Sequence, residues 1–344
     1  MEFLSLLKRI SPEIVDKIES RYLILRTIAY NQPIGRRLLS TKLNIKERAI
    51  RDEVNFLKEQ GLLNIEIMGM YITEDGHSIL EKLEDLYIEL KGIPLLEKEL
   101  QKVLNVKKVI ISPGNSMNNE LVLKDMGKIT SKELKDIIAD GDIIGITGGN
   151  TMAAVAEEMK EDNKQRQVLI IPARGGLGLE VETQANSIAA LLGQKLNGKY
   201  RLLYVPDSLE SEALDIVLKN PEIRESIECI NNMDTIVFGM GRADVMATRR
   251  NLSQEKIGDI INKGAVSEAF GHYFDINGKE IWEYKTIGLS LDKYKNLKNV
   301  IGVAGGEDKA EVIISIATLR NDITIVTDEE AARKILEIVH NATE

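Results

Sequence analysis

The run Asp142-Ile143-Ile144-Gly145-Ile146-Thr147-Gly148-Gly149-Asn150-Thr151-Met152-Ala153-Ala154-Val155-Ala156 constrains this chain more than any other stretch. Its short apolar beginning suits a buried strand. It then turns through Thr-Gly-Gly-Asn-Thr into alanine-rich sequence that suits a helix. The first N–H groups of a helix lack partners within it, and the helix dipole favours negative charge there. Glycines let a ligand approach the backbone, and Thr147, Asn150 and Thr151 add side-chain donors. The stretch is a candidate phosphate turn. Taken alone, it is equally an ordinary strand-to-helix turn in which Thr and Asn cap the helix.

The chain beyond Pro94 repeats this alternation. Apolar runs at Lys107–Ile111, Ile143–Thr147, Gln167–Pro172, Tyr200–Pro206, Thr235–Gly241, Val300–Gly306 and Ile323–Asp328 are separated by helical sequence such as Leu121–Ala139. This pattern predicts a parallel α/β sheet covered on both faces, with ligands at the C-terminal strand edge. Chemically useful residues fall at those edges. Arg174 and Gly175 follow one strand, and an arginine fork suits phosphate. Glu182-Thr183-Gln184-Ala185-Asn186 opens a helix. Arg242, Asp244, Arg249 and Arg250 follow another strand, and Glu268-Ala269-Phe270-Gly271 precedes a small β-like segment containing Trp282. Gly305-Gly306-Glu307-Asp308-Lys309 is a second glycine-rich loop leading into a helix. Two glycine-rich loops, at least two arginine sites and a lysine suit a ligand with two phosphates. Neither a P-loop nor a Gly-x-Gly-x-x-Gly nucleotide turn is present.

The region before Pro94 reads differently. Ser11-Pro12-Glu13 starts a helix with periodic Ile14, Ile18, Tyr22, Leu25 and Ile28. A second helix covers Arg36–Leu43, with Leu38, Leu39 and Leu43 as its expected buried side. A third runs from about Lys46 to Gln60 with Ala49, Ile50, Val54 and Leu57 inward. Residues 62–73 alternate as a hairpin turning near Gly69. Helix, helix, turn, helix, hairpin is the order of a winged helix-turn-helix, whose last helix enters the major groove. Its outer face carries Lys46, Arg48, Arg51, Asn55 and Lys58, with Arg36 and Arg37 at the preceding helix start placed for the DNA backbone. Asp75-Gly76 reads as a turn. Ile79, Leu83, Leu86 and Leu90 then form one stripe of a linker helix. The expected division is a DNA-binding domain over 1–75, a linker helix over 76–93 and an effector domain over 94–344.

Net charge is −9, so polyanion binding has to be local, and the arginines and lysines at 36–58 supply it. No apolar run approaches the roughly 20 residues that span a bilayer. One cysteine, Cys229, excludes an internal disulfide and sets a cytoplasmic location as the expectation. His77, His272 and His340 are isolated in sequence and predict no metal site.

Together these residues resemble the SorC/DeoR family of sugar-responsive transcriptional regulators, and within it the regulators of glycolytic operons of Gram-positive bacteria. The resemblance covers nearly the whole chain. It rests on Gln32-Pro33-Ile34-Gly35-Arg36-Arg37, Phe56-Leu57-Lys58-Glu59-Gln60-Gly61, Thr147–Ala156, Ala173-Arg174-Gly175-Gly176, Glu182–Asn186, Met246-Ala247-Thr248-Arg249-Arg250, Glu268–Gly271 and Ala304-Gly305-Gly306. It implies a Rossmann-like effector domain of the sugar-phosphate isomerase and deaminase type behind the winged helix. It also implies a repressor that binds operator DNA as a dimer of dimers, with fructose 1,6-bisphosphate as inducer and no cofactor. Thr147, Gly148, Gly149, Thr151 and Met152 are implied at one phosphate, with Asn150 standing where a serine or threonine is expected. Arg174, Gln184, Arg249, Arg250 and Lys309 are implied as further ligand contacts, and Glu268 as the sugar-facing acid. Two alternatives remain open at this point: a repressor sensing a sugar monophosphate, and a sugar-phosphate isomerase or deaminase. The latter needs a base and an acid on an open-chain sugar. Glu268 and Asp244 are the only candidates, with no catalytic constellation around them.

Overall fold

The computed structural model describes residues 6, 8–163, 165–177, 180–207, 213 and 216–343. The chain divides into two compact units, Met1–Leu95 and Leu96–Glu344.

In the first unit, α1 (Pro12–Asn31), α2 (Arg36–Leu43) and α3 (Glu47–Glu59) precede a hairpin of β1 (Leu63–Glu66) and β2 (Gly69–Ile72). Its core joins Ile24, Leu25 and Ile28 of α1 with Leu39, Ile50, Val54, Leu57, Leu63 and Met70. Burying such a side chain contributes about 1.5–3 kcal/mol. Three expected inward residues point out: Ile14 and Leu38 are about half exposed, and Ala49 is exposed. Successive helical residues lie about 100° apart, so once Leu39 and Ile50 face the core their neighbours cannot.

The helix α4 (Glu74–Leu90) begins earlier than the sequence suggests. Thr73 caps it, Oγ1 accepting from Gly76 N at 3.0 Å. Asp75-Gly76 is therefore the first helical turn and no loop. Gly76 is needed for closeness: a Cβ there stands 2.3 Å from the Leu62 carbonyl oxygen. Farther along, Tyr87 stacks on Tyr22 with ring centroids 4.4 Å apart, and Lys91 pairs with Glu19 at 2.9 Å. Pro94 lies in the first turn of α5 (Ile93–Leu104), where a missing N–H costs nothing.

The second unit continues with β3 (Lys108–Ser112), α6 (Glu120–Ile137), β4 (Ile143–Ile146), α7 (Asn150–Glu158), β5 (Leu169–Pro172), α8 (Ala185–Lys195), β6 (Lys199–Tyr200), α9 (Pro221–Asn231) and β7 (Thr235–Gly239). There follow β8 (Gly241–Arg242), α10 (Ala243–Arg249), α11 (Gln254–Asn262), β9 (Ser267–Ala269), β10 (His272–Phe274), β11 (Glu280–Glu283) and α12 (Leu291–Lys295). The unit closes with β12 (Asn299–Val303), α13 (Ala310–Ala317), β13 (Thr324–Asp328) and α14 (Glu329–Thr343). Seven strands form a parallel sheet in the order β3-β13-β12-β7-β4-β5-β6. Ile144, Ile146, Val237, Ile301, Val303 and Val326 form its core with α6, α7 and α8. From β4 the chain steps outward to β6, then returns to β4's other side at β7 and works across to β13. The order reverses between β4 and β7, and a crevice opens at their C-terminal ends.

The run Tyr200–Pro206 is not a full strand. β6 is two residues long and pairs only with β5. Beyond it, the Asn186 side chain holds both the N–H and the carbonyl of Leu203, at 2.9 and 3.1 Å, in place of a neighbouring strand. A smaller antiparallel sheet, β11-β10-β9-β8, stands beside α10 and α11. Among the described residues no helix is long and apolar enough to cross a membrane.

Candidate effector site and DNA-binding face

The crevice between β4 and β7 is the mouth of a cavity of about 850 Å³. Its wall includes Thr147–Met152, Arg174, Gly175, Gly239–Arg242, Arg249, Arg250, Glu268, Phe270 and Lys309. Of the expected effector residues only Gln184 stands outside this wall; its Oε1 sits beside Gly176, itself a wall residue.

The turn after β4 is held tightly. Gly149 has φ +113°, and its N–H donates to the Thr183 carbonyl at 2.8 Å. A Cβ on Gly148 would lie 2.7 Å from that same oxygen. Among the described residues no side chain caps α7. The amides of Asn150, Thr151 and Met152 thus remain as donors at the positive end of the helix. Thr147 is buried, its Oγ1 accepting from Gly239 N at 3.1 Å.

Below the turn, two arginines and two carboxylates close a ring. Arg174 donates to both oxygens of Asp207, Nε to Oδ1 at 3.0 Å and Nη2 to Oδ2 at 2.5 Å. Arg250 Nε reaches Asp207 Oδ2 at 3.3 Å, and its Nη2 reaches Glu268 Oε1 at 2.8 Å. Arg174 Nη1 completes the circuit to Glu268 Oε1 at 3.3 Å. Gly271 N also donates to Oε1, at 2.7 Å, and Arg250 Nη1 donates to Tyr273 OH at 2.9 Å. All four charged residues are buried. Burial alone raises the Glu268 pKa, but Arg174, Arg250 and the Gly271 amide outweigh it and hold the carboxyl below its ordinary value. Burial pushes the Tyr273 hydroxyl up to about 12.

The ring changes the reading of Arg174. It lines the cavity as expected, yet three of its five N–H donors are committed to internal carboxylates. Asp207 is absent from the sequence-level candidates. The only signal for it is an acid directly after Tyr204-Val205-Pro206, at the end of an apolar run.

The remaining cations differ in their engagement. Arg242 is held by Asp244 at 2.7 Å and by Asp308 at 3.1 Å. Arg249 is exposed and lines the cavity, with no ion pair among the described residues. Lys309 makes no salt bridge among the described residues; its Nζ is 3.5 Å from the Met240 carbonyl, and burial lowers its pKa although Asp308 and Asp244 oppose the shift. Asp308, beside Lys309 in sequence, is bound to Arg242. The second glycine-rich loop is also already occupied from within. Asp328 Oδ2 accepts from Gly306 N at 2.7 Å and from Ser116 N and Oγ at 2.8 and 2.6 Å.

Phe270 carries φ +56°, a backbone region that bulky side chains rarely adopt, and it is buried against Phe238 and Tyr294. This strained corner joins β9, which bears Glu268, to β10. On the same small sheet, His272 is less isolated than its sequence context suggests. Its ligating atom and those of Glu280 and Glu283 lie within 4.8 Å of one another, and Nδ1 is 3.2 Å from Glu280 Oε1.

In the first unit, Lys46, Arg48, Arg51, Asn55 and Lys58 are all exposed along α3 or at its start. Arg37 is exposed at the start of α2, and Arg36 is half-buried. Arg51 and Arg37 each approach Glu47 only to 3.9 Å, so both charges stay available.

Comparison with known proteins finds a family for each part of the chain. Residues 18–87 match the CggR N-terminal DNA binding domain, and residues 89–337 match a putative sugar-binding domain. The chain is 41% identical to the central glycolytic genes regulator of Bacillus subtilis, over 96% of this chain and 97% of the relative. The corresponding protein of Priestia megaterium is 39% identical, over 96% of both. A SorC family transcriptional regulator from Enterococcus faecalis superposes with a TM-score of 0.66 at 36% identity, covering 70% of this chain and 99% of that one.

This chain belongs to the SorC family of sugar-binding transcriptional regulators. The full-length sorbitol operon regulator SorC of Klebsiella pneumoniae shares its fold across 95% of the chain, with a TM-score of 0.67 at 21% identity. As a SorC-family protein the chain is a transcriptional regulator and not an enzyme. The parallel-sheet unit is its sugar-binding domain, and the α3 face belongs to its DNA-binding domain.

Proposed function

We propose that this regulator represses a glycolytic operon and that fructose 1,6-bisphosphate releases it. The carrying observation is that the wall of one cavity holds two features suited to anions together with three residues of a charge-balanced ring. One is the start of α7, whose first three amides have no side-chain cap among the described residues, beside Thr151. The other is the Arg249 and Lys309 pair, which make no salt bridge among the described residues. Arg174, Arg250 and Glu268 of the neutral ring lie in the same wall, and Glu268 Oε2 accepts from none of the described residues. A phosphate for each cationic feature and a sugar hydroxyl for Oε2 describe a hexose bisphosphate. The relatives' names supply the glycolytic target.

The mechanism is linkage: the sugar must bind the released state more tightly than the operator-bound one. A palindromic operator needs paired DNA heads, so the working form is an oligomer, a dimer or a dimer of dimers. The deciding measurement is a thermal-shift panel of mono- and bisphosphorylated sugars, followed by operator titration with the best binder. Fructose 1,6-bisphosphate should give the largest shift and weaken operator binding. A larger shift with a monophosphate would replace the effector, and unchanged operator affinity with every sugar phosphate would sink the proposal.

A further inference from the structure

We propose that His272, Glu280 and Glu283 form a binding site for a divalent transition-metal ion, with zinc as the ion whose chemistry matches. The site lies on the small antiparallel sheet, and none of its three residues lines the effector cavity. It is independent of which sugar phosphate the cavity takes.

His272 of β10 stands directly opposite Glu283 of the edge strand β11. Directly opposed residues share a face of the sheet. Glu280 would ordinarily point the other way, because residues three apart on a strand lie on opposite faces. The register shifts between Tyr273 and Phe274, so that Ile281 is an extra residue in β11 and Phe274 pairs with Glu280. A bulge of this kind re-aims a side chain, and here it returns Glu280 to the face of His272 and Glu283. One potential ligand atom of each residue then lies within 4.8 Å of the other two. His272 and Glu280 are already in contact, Nδ1 to Oε1 at 3.2 Å. The sequence conceals the site because the bulge, and no spacing rule, assembles it.

Two carboxylates held this close repel each other unless a cation stands between them. Among the described residues no lysine or arginine forms an ion pair with either; His272 is the sole basic partner of Glu280, and Glu283 has none. The donors select the ion. Imidazole suits zinc, copper and nickel, whereas carboxylates alone suit magnesium, calcium and manganese. Zinc accepts both donor types and is well served by three protein ligands, with water in the fourth tetrahedral position. The side chains of His272 and Glu280 are 13% and 41% exposed, so the ion enters from solvent while the strand holds the imidazole. An ion bound there clips the edge strand β11 onto β10. Tyr273, the next residue of β10, faces the other way and accepts from Arg250 of the cavity wall, so the clip also steadies that wall.

The chain's single tryptophan, Trp282, lies between the two glutamates on β11 and reports binding. The test titrates the full chain, made without a histidine tag, with cobalt(II) as a coloured substitute for zinc. Visible absorption should grow and Trp282 emission should fall together, and added zinc should reverse the colour by displacement. Calcium, which takes oxygen ligands, should not displace the cobalt. His272→Gln and Glu283→Gln should each weaken cobalt binding at least about tenfold, the scale on which even an outer partner of a metal ligand matters. Glu283→Gln leaves the contact between His272 and Glu280 in place, so its loss of affinity cannot come from breaking that pair. Zinc should also raise the melting temperature of the wild type more than that of Glu283→Gln. Cobalt binding of equal strength in both variants overturns the site, as does no binding by the wild type at millimolar metal or displacement by calcium as effective as that by zinc. If His272→Gln fails to fold, Glu283→Gln, which alters an exposed side chain, decides by the same criterion.

Discussion

Thr147 Oγ1 accepts a hydrogen bond from the backbone N–H of Gly239 at 3.1 Å. Thr147 follows β4 and Gly239 ends β7, the strands at which the sheet order reverses. This single bond ties together the loops on either side of the crevice, so a ligand seated on one loop acts on both. Thr151, one turn farther on, faces the cavity without such a bond.

Thr151→Ala should therefore reduce sugar-phosphate binding without disturbing the fold. A hydrogen bond to a charged group contributes about 1.5–3 kcal/mol, so affinity should fall at least tenfold. The ligand-induced thermal shift should shrink, and operator affinity without ligand should stay within twofold. Equal thermal shifts in wild type and variant would remove Thr151 from the phosphate site.

Arg51→Ala addresses the other unit. Arg51 is exposed on α3 and only loosely paired with Glu47. Its loss should weaken operator binding and leave sugar-phosphate affinity unchanged. If the arginine reads a guanine edge, the cost is about 1–3 kcal/mol and specificity relaxes at one base pair; if it holds a phosphate, the salt slope falls by about one. Anisotropy titrations at several salt concentrations, on operator and mutated operator, separate these outcomes. Unaltered affinity on both DNAs would exclude Arg51 from the interface.

Acid should destabilise the protein through Glu268. Its pKa is lowered in the folded chain from an ordinary value of 4.5. A lowered carboxyl pKa means that its contribution is present above the unfolded value and is lost as pH falls through the folded one. Urea unfolding at a series of pH values should show a decline below about 4.5 that is weaker in Glu268→Gln. Near neutral pH, Glu268→Gln should itself cost about 3–5 kcal/mol, because Arg174 and Arg250 then share one carboxylate in a buried setting. A variant as stable as wild type at neutral pH would contradict the ring.

Alkali should act on ligand binding through Lys309. Burial holds its pKa below the ordinary 10.5, so it loses its charge at lower pH than a surface lysine. Sugar-phosphate affinity should fall as pH rises through that lowered value, and Lys309→Arg should flatten the fall. Identical pH profiles for the two proteins would place Lys309 outside the anion site.

Gly76→Ala probes the junction of hairpin and helix. The added methyl meets the Leu62 carbonyl oxygen and the Ile72 side chain, and overpacking of this kind costs about 1–3 kcal/mol. The loss should appear in thermal unfolding and in operator affinity. Stability equal to wild type would mean that the hairpin yields.

Much of this was legible in the chain because it depends on local pattern. Six of the seven parallel strands announced themselves as apolar runs, since a strand covered on both faces has no polar positions to interrupt it; β6, two exposed residues long, did not. The turn at Thr147–Thr151 and the exposed bases of α3 follow from spacing in the same way. Gly76 misled because a glycine needed for close approach looks like a glycine needed for a turn. Leu38 and Ala49 misled because leucine and alanine are as acceptable on a helix surface as in a core. The ring was illegible for a different reason. Positions 174, 207, 250 and 268 meet only through the order of the strands, and no spacing rule connects them. Asp207 in particular sits after a run that stops being a strand at Tyr200.

The sheet order has one more consequence. β3, the first strand of the sugar-binding domain, pairs with β13, its last. The first and last strands thus lie side by side at one end of the sheet, β3 at the edge and β13 next to it. A polypeptide attached at either end needs no passage through the sheet and disturbs no strand pairing. Such a sensor is a portable cassette: a different head could be fused ahead of α5, or the ends joined and the chain reopened elsewhere, with the cavity between β4 and β7 left intact.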